Sequence, residues 1–171
     1  MQSPFVNPAA REWTSRAPRG TARDFHRQLP GYVGSLAQAV VTHYRRAAVA
    51  ETRVLSVEPD TAAGILTSLR ADAPTPVTTG NTIAAGLNCG TVSAAAWPAP
   101  RAGLDAAIAV SDDETRSAMA ALARQSISSG ACGAAPLAGL TAYLNHPGAR
   151  DAIGLPNRAV VVLISTEGAA G

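Results

Sequence analysis

The segment "LDAAIAVSDDETRSAMAALARQ", residues 104–125, contains an apolar run, a capping signal and a helical pattern in direct succession. The run from Ala106 to Val110 predicts an extended strand. Either Ser111 or Asp112 then caps the helix that follows, and acidic residues suit its first turn. The side chains predicted to share the apolar face of this helix are Met119, Leu122 and Ala123. A strand that leads at once into a helix indicates an α/β protein.

The same alternation continues on both sides of this segment. "TRVLSVEP", residues 52–59, predicts a buried strand closed by proline, and "DTAAGILTSLRAD" predicts a helix with Asp60 as its N-cap. Residues 126–146 read as a glycine-rich loop and a further helix, and "RAVVVLISTEG", residues 158–168, is the strongest strand prediction in the chain. We therefore expect an α/β fold with a mostly parallel sheet of three to four strands and packed helices.

Two stretches are expected to break this alternation. "APTPVTTGNT" predicts a loop, and Pro98 and Pro100 are expected to interrupt the helix that forms before them. In "LPGYVGSLAQAVVTHYRR", residues 29–46, Gly31 and Gly34 lead into a helix predicted for residues 35–48. A glycine loop at a helix start is typical of a phosphate site, but such loops normally follow a buried strand, and none is predicted here.

Composition limits the function classes. Apolar residues make up 47% of the 171 residues and aromatic residues only 4%, which predicts one domain with a core of small aliphatic side chains. A formal charge of +2 and the lack of a basic run mixed with aromatics predict no nucleic-acid partner. The absence of a long apolar window or a signal-peptide pattern predicts no membrane partner and a cytoplasmic protein. Cys89 and Cys132 lack metal-site spacing, so no metal site is predicted.

Several segments, taken together, resemble diaminopropionate ammonia-lyase, a pyridoxal-phosphate enzyme of fold type II. They are "DFHRQLPGY", "VGSLAQAVV", "SVEPDTAAGIL", "AGLNCG" with a following Trp97, "GACGAAPLAGL" and "VVLISTEG", in the order in which that family has them. The resemblance implies a partial three-layer large domain in residues 33–171, preceded by an irregular N-terminal arm in residues 1–32. It also implies that the family's middle section is missing, with the junction at or next to Val33.

The missing section is where the family carries its cofactor lysine and two acidic residues implicated in catalysis. All 14 residues counted as lysine or arginine in this chain are arginine. Pyridoxal-phosphate enzymes hold the cofactor through a lysine, so any retained cofactor binding is expected to be non-covalent at most. No catalytic residue is assigned. The chain's other acidic candidates are interpreted as caps or solvated surface residues: Asp60, Asp105, Asp112, Asp113 and Glu114.

Five cofactor contacts are implied by the resemblance. Gly34, Ser35 and Leu36 match the phosphate loop, although an ordinary helix start explains them equally well. Ser165 and Thr166 match the strand end that lies beside the pyridine nitrogen, although the motif alone indicates only a strand ending in a turn. The segment that contains Gly86, Leu87 and Cys89 matches the lining of the family's active site.

Three hypotheses remain open at this stage. The first is a shortened, catalytically impaired or inactive lyase acting on 2,3-diaminopropionate to give pyruvate and ammonia. The second is a non-catalytic module that binds pyridoxal phosphate or another phosphorylated small molecule. The third is an interaction protein or the remnant of an internally deleted gene, which forms homo-oligomers or pairs with a full-length paralogue.

Overall fold

A three-stranded sheet lies between two groups of helices in the computed structural model, which describes residues 4–7, 34–46 and 52–168. The strands are β1 (Phe5–Val6), β2 (Leu55–Pro59) and β3 (Ala106–Val110). The helices are α1 (Ser35–Arg46), α2 (Gly64–Ala71), α3 (Pro98–Gly103), α4 (Asp112–Arg124), α5 (Ala131–Asn145) and α6 (Ala149–Ala152). The strand order is β1-β3-β2, with β2 parallel and β1 antiparallel to β3. The predicted α/β class is confirmed, although the sheet is mixed.

Strand β3 is the centre of the molecule, since all five of its residues are buried. Its side chains alternate between the two faces of the sheet, as the pleat of a strand requires. Ala107 and Ala109 belong to the apolar cluster formed with α1, α2 and α3. The other three residues, Ala106, Ile108 and Val110, belong to the clusters formed with α4, α5 and α6. The predicted three-layer arrangement therefore follows from one short central strand.

The start of α4 resolves the alternative between Ser111 and Asp112. Ser111 is the N-cap: its Oγ accepts a hydrogen bond from the backbone N–H of Glu114 at 3.3 Å, and Glu114 Oε2 accepts one from the Ser111 N–H at 2.8 Å. Met119 and Leu122 pack against the core as predicted. Ala123 is exposed, contrary to prediction, because it is rotated by about 100° from Leu122 around the helix.

Two local predictions are wrong for physical reasons. Asp60 does not cap a helix; it starts the 3-10 turn Asp60–Ala62, and α2 begins only at Gly64 with no side-chain cap from its N-cap residue. Pro98 and Pro100 do not interrupt a helix but lie in the first turn of α3. Proline fits there because the first backbone N–H groups of a helix have no intrahelical acceptor.

The strand predicted within residues 158–168 is absent: this segment forms no strand. Val160 is 95% exposed and Val162 69% exposed. An apolar, β-branched sequence favours extended backbone, but a strand also needs a neighbour for its ladder. At the other end of the chain, Phe5 and Val6 form β1 within the predicted irregular arm.

Predictions for a helical turn at residues 11–15 and for a helix end at Ala48 fall outside the described residues. Within the described ranges, no helix is long and apolar enough to cross a membrane.

Candidate functional site

The start of α1 is a glycine turn that leads into a helix without acidic residues in its first turn. Gly34 has a φ of +111°, a conformation that other residues rarely adopt, and its carbonyl accepts the first helical hydrogen bond from the Gln38 N–H at 2.7 Å. Ser35 and Leu36 are exposed, and the first turn contains no acidic residue. The unpaired N–H groups and the positive end of the helix dipole are therefore left without a negative side chain from that turn.

Ser165 and Thr166 lie elsewhere, at the beginning of α5. Ser165 Oγ is 3.3 Å from Ser129 Oγ and 3.4 Å from the Glu167 carbonyl oxygen. A side chain at Gly133 would clash with both serine hydroxyls, so glycine is required at this approach. Thr166 is exposed. Ser165 thus already has polar neighbours within the chain.

One segment touches both parts of the candidate site. Gly86, within the 3-10 turn Ala85–Leu87, lies against the Cys132 Sγ at the start of α5, with 3.1 Å between Sγ and the position of an added Cβ. Further along, Ala96 and Val92 lie against Gly34. Residues 86–96 therefore lie next to Gly34 at one end and next to the start of α5, where Ser165 lies, at the other.

The first turn of α5 is capped from a distant part of the chain. Glu167 Oε1 accepts a hydrogen bond from the Cys132 N–H at 2.8 Å, and the Glu167 carbonyl accepts one from the Gly130 N–H at 3.4 Å. Burial raises the pKa of the Cys132 thiol, so the sulfur stays protonated and unreactive. Cys132 is 7% exposed, as expected of a small buried hydrophobic residue. Sequence analysis did not single out Glu167, because its partner lies 35 positions away.

The acidic residues assigned to caps and surfaces have structural partners. Asp105 is not a solvated surface residue as predicted: it is buried and pairs with Arg45 at 2.5 Å, which ties α1 to the start of β3. Asp112 Oδ1 accepts a hydrogen bond from Thr82 Oγ1 at 2.7 Å, and Asp113 pairs with Arg116 on the same helix. In none of these interactions does a carboxylate contact one of the five predicted cofactor residues. Among the described residues, no cluster of His, Cys, Asp and Glu could hold a metal ion.

Glu58 is a buried acid that the sequence analysis missed. Its side chain is 5% exposed and accepts hydrogen bonds from the backbone N–H groups of Ile65 at 2.8 Å and Leu66 at 2.9 Å. Glu58 therefore accepts hydrogen bonds from the first N–H groups of α2, which is the capping role predicted for Asp60. Burial raises the pKa of the Glu58 carboxyl to about 7, against the lowering effect of these N–H donors. The only sequence signal is a glutamate at the end of a buried strand.

An open cleft of about 590 Å³ lies beside the α5 cap. Its walls include Ile83, Arg116, Met119, Ala131 and Glu167. None of the five predicted cofactor contacts is among the described residues that line it.

The family description "pyridoxal-phosphate dependent enzyme" matches residues 26–167. The chain belongs to this family. The match covers α1 to α6, together with β2 and β3. Family membership supports pyridoxal phosphate as the cofactor that this fold has evolved to hold. No curated protein sequence matches the chain.

Solved structures show the same relationship at the level of the fold. The chain is 28% identical to holo diaminopropionate ammonia lyase from Escherichia coli, with a TM-score of 0.68, covering 81% of this chain and 36% of that one. It is 24% identical to an L-serine ammonia-lyase from the fungus Rhizomucor miehei, with a TM-score of 0.67, covering 82% and 44%. The chain is 28% identical to serine racemase from Dictyostelium discoideum, with a TM-score of 0.54, covering 63% of this chain and 34% of that one. This chain spans less than half the length of each.

Only part of the donor set fits pyridoxal phosphate. The turn at Gly34 and the uncharged first turn of α1 suit a phosphate, and the Ser165 hydroxyl suits a ring nitrogen. The group that would bind the aldehyde is missing, because the chain contains arginine at all 14 positions counted as lysine or arginine. Guanidinium groups remain protonated in proteins and cannot take the place of a lysine amine.

Proposed function

We propose that this chain is a shortened relative of diaminopropionate ammonia-lyase that binds the phosphate of pyridoxal phosphate non-covalently and does not itself catalyse ammonia elimination. The lack of lysine carries this proposal, because family membership supplies the cofactor but the chain supplies no amine side chain to link it. The similarity to diaminopropionate ammonia lyase, at 28% identity over 81% of this chain, favours that relative as the source of the shortened domain.

The chain's own residues contribute positioning only. Bound pyridoxal phosphate supplies an electron sink when a proton leaves the α-carbon of an amino acid. The N–H groups of Ser35 and Leu36 would hold its phosphate, with Gly34 providing the turn. Ser165, with Thr166 next to it, would face the ring nitrogen. With so few contacts, we expect a dissociation constant in the micromolar to millimolar range, about −4 to −8 kcal/mol.

The phosphate contact can be tested by thermal unfolding with inorganic phosphate and with pyridoxal phosphate. Both ligands are expected to raise the melting temperature of the wild-type chain, because they bind only the folded state. Leu36→Glu places a carboxylate in the first turn of α1, where it stabilises the helix but repels the phosphate. The shift should therefore disappear in this variant. Ala39→Glu is the matched control, since it adds the same charge at an exposed position further along α1 and should keep the shift.

The covalent chemistry is tested separately. After incubation with pyridoxal phosphate and borohydride, the intact mass of the chain is expected to be unchanged, and no pyruvate should form from 2,3-diaminopropionate. A mass increase mapped to the Met1 amine, or measurable pyruvate, would overturn the assignment as a non-catalytic protein. Equal shifts for Leu36→Glu and Ala39→Glu would overturn the phosphate site.

A further inference from the structure

Residues 158–167, which we call the tail segment, lie largely exposed outside any helix or strand and are held at both ends. Just before it, the Pro156 carbonyl accepts a hydrogen bond from Arg150 Nη2 at 2.8 Å. At its far end, Ser165 lies against Ser129 and Glu167 caps α5. These contacts hold both ends of the segment, and its middle lies exposed between them.

The middle of the tail segment is apolar and unpaired. Val160, Val161 and Val162 are 95%, 46% and 69% exposed, and Ile164 is 39% exposed. Within the part of the chain that the structure describes, the main chain of residues 159–164 makes no hydrogen bond. A row of free N–H and C=O groups that carries uncharged, β-branched side chains is a template for pairing with another strand.

We propose that the tail segment pairs with the tail segment of a second copy of this chain, antiparallel, about a two-fold axis between Val162 and Leu163. In this register Arg158 of each copy stands opposite Glu167 of the other. Arg158 is exposed and forms no interaction with any described residue. Glu167 is also exposed, and its carboxylate accepts the Cys132 N–H through Oε1 at 2.8 Å. The positive end of one copy therefore meets the negative end of the other at both ends of the pairing.

The charges of Arg158 and Glu167 favour a second copy as the partner and an antiparallel pairing. A parallel pairing would place Arg158 beside Arg158 and Glu167 beside Glu167, which is unfavourable. The antiparallel pairing also sets Val161 opposite Ile164 and Val162 opposite Leu163, so valine, leucine and isoleucine meet across the strands. A two-fold arrangement uses the same surface on both copies and closes at a dimer.

The first test measures the mass of the wild-type chain by light scattering over a roughly hundredfold range of concentration. We expect a monomer–dimer equilibrium, together with amide hydrogen exchange in residues 159–164 that slows as concentration rises. Val162→Lys buries a charge at the centre of the pairing and should raise the dissociation constant at least tenfold. Ile127→Lys is the matched control: Ile127 is 50% exposed outside the tail segment, and its replacement should leave the equilibrium unchanged.

The second test uses the end charges and does not depend on the core of the segment. Arg158→Glu places like charges opposite each other at both ends of a homodimer, so it should dimerise more weakly than wild type, with the neutral Arg158→Gln in between. High salt should reduce the difference between Arg158→Glu and wild type, because it screens the end charges. Circular dichroism of each variant verifies that the fold is kept.

Four outcomes would overturn the proposal. A chain that is monomeric at every concentration would overturn it. Protected amides in residues 159–164 of such a monomer would show that the chain's own residues cover the segment. Dimerisation that Val162→Lys leaves unchanged would place the interface elsewhere. Equal dimerisation of Arg158→Glu and wild type would exclude the antiparallel register, and growth beyond a dimer would exclude two-fold closure.

Discussion

Glu58 accepts hydrogen bonds from the first turn of α2, although its buried position disfavours a negative charge. Burial raises its pKa from an ordinary 4.5 to about 7, even though it accepts hydrogen bonds from Ile65 and Leu66 at the start of α2. Between these two pH values the folded chain holds a proton that the unfolded chain releases. The associated stability is therefore complete below pH 4.5 and is lost as the pH rises through 7, by roughly 3 kcal/mol.

Replacing Glu58 by glutamine should remove this pH dependence. Glu58→Gln keeps an acceptor oxygen for the helix start and carries no charge at any pH, so its advantage over wild type should grow by up to about 3 kcal/mol between about pH 5 and pH 8. Urea unfolding at both pH values measures the difference. Asp72→Asn is the control: the hydrogen bond from Arg101 lowers the pKa of exposed Asp72, which stays ionised across that range. Parallel pH profiles for wild type and Glu58→Gln would contradict the assignment.

At the scale of elements, α5 lies so close to β2 that one glycine fixes their separation. A Cβ placed on Gly139 would fall among the methyl groups of Val57, 2.7 Å from Cγ1. Cores tolerate volume poorly at such contacts, and overpacking typically costs about 1–3 kcal/mol. The contact keeps α5, and with it the Cys132 turn that Glu167 caps, tight against the sheet.

A double-mutant cycle tests this contact. Gly139→Ala should lower the free energy of unfolding by about 1–3 kcal/mol, and by clearly less in a chain that also carries Val57→Ala, which removes the methyl groups in the way. Gly168→Ala is the matched control, because an added Cβ there meets nothing within 4 Å. Its effect should stay within about 0.5 kcal/mol. Additive effects of Gly139→Ala and Val57→Ala in urea unfolding would show that the two residues are not coupled.

The elements also differ in how well they could be predicted from sequence. Strand β3 and the cap at Ser111 were predictable, because local periodicity and capping chemistry decide them. The capping of α2 by Glu58 and of α5 by Glu167 was not, since both depend on how distant segments pack. The tail segment has the most strand-like sequence but no strand, because a ladder requires a neighbour. For the candidate site, residue types could be matched to the family, but the packing of Ser129 and Gly133 against Ser165 could not be read from the sequence.

At the scale of the whole molecule, the three-stranded sheet depends on a short N-terminal strand. This chain covers only 36% of holo diaminopropionate ammonia lyase from Escherichia coli, and its central strand β3 is flanked on one side by just Phe5 and Val6. Asn7 holds that strand in place. Its side-chain Nδ2 donates hydrogen bonds to the carbonyls of Arg101 at 2.7 Å and Leu104 at 2.8 Å.

Replacing Asn7 by aspartate should therefore weaken the entire fold rather than one loop. The side chain is 6% exposed, so Asn7→Asp would bury a carboxylate against two carbonyl oxygens and leave both acceptors without their donor. We expect a loss of at least about 2 kcal/mol in the free energy of unfolding at neutral pH, measured with urea. Asn81→Asp makes the same change at an exposed asparagine and should be nearly neutral. Equal stability of the two variants would mean that β1 contributes little, and that β3 is held in place by β2 and the helices alone.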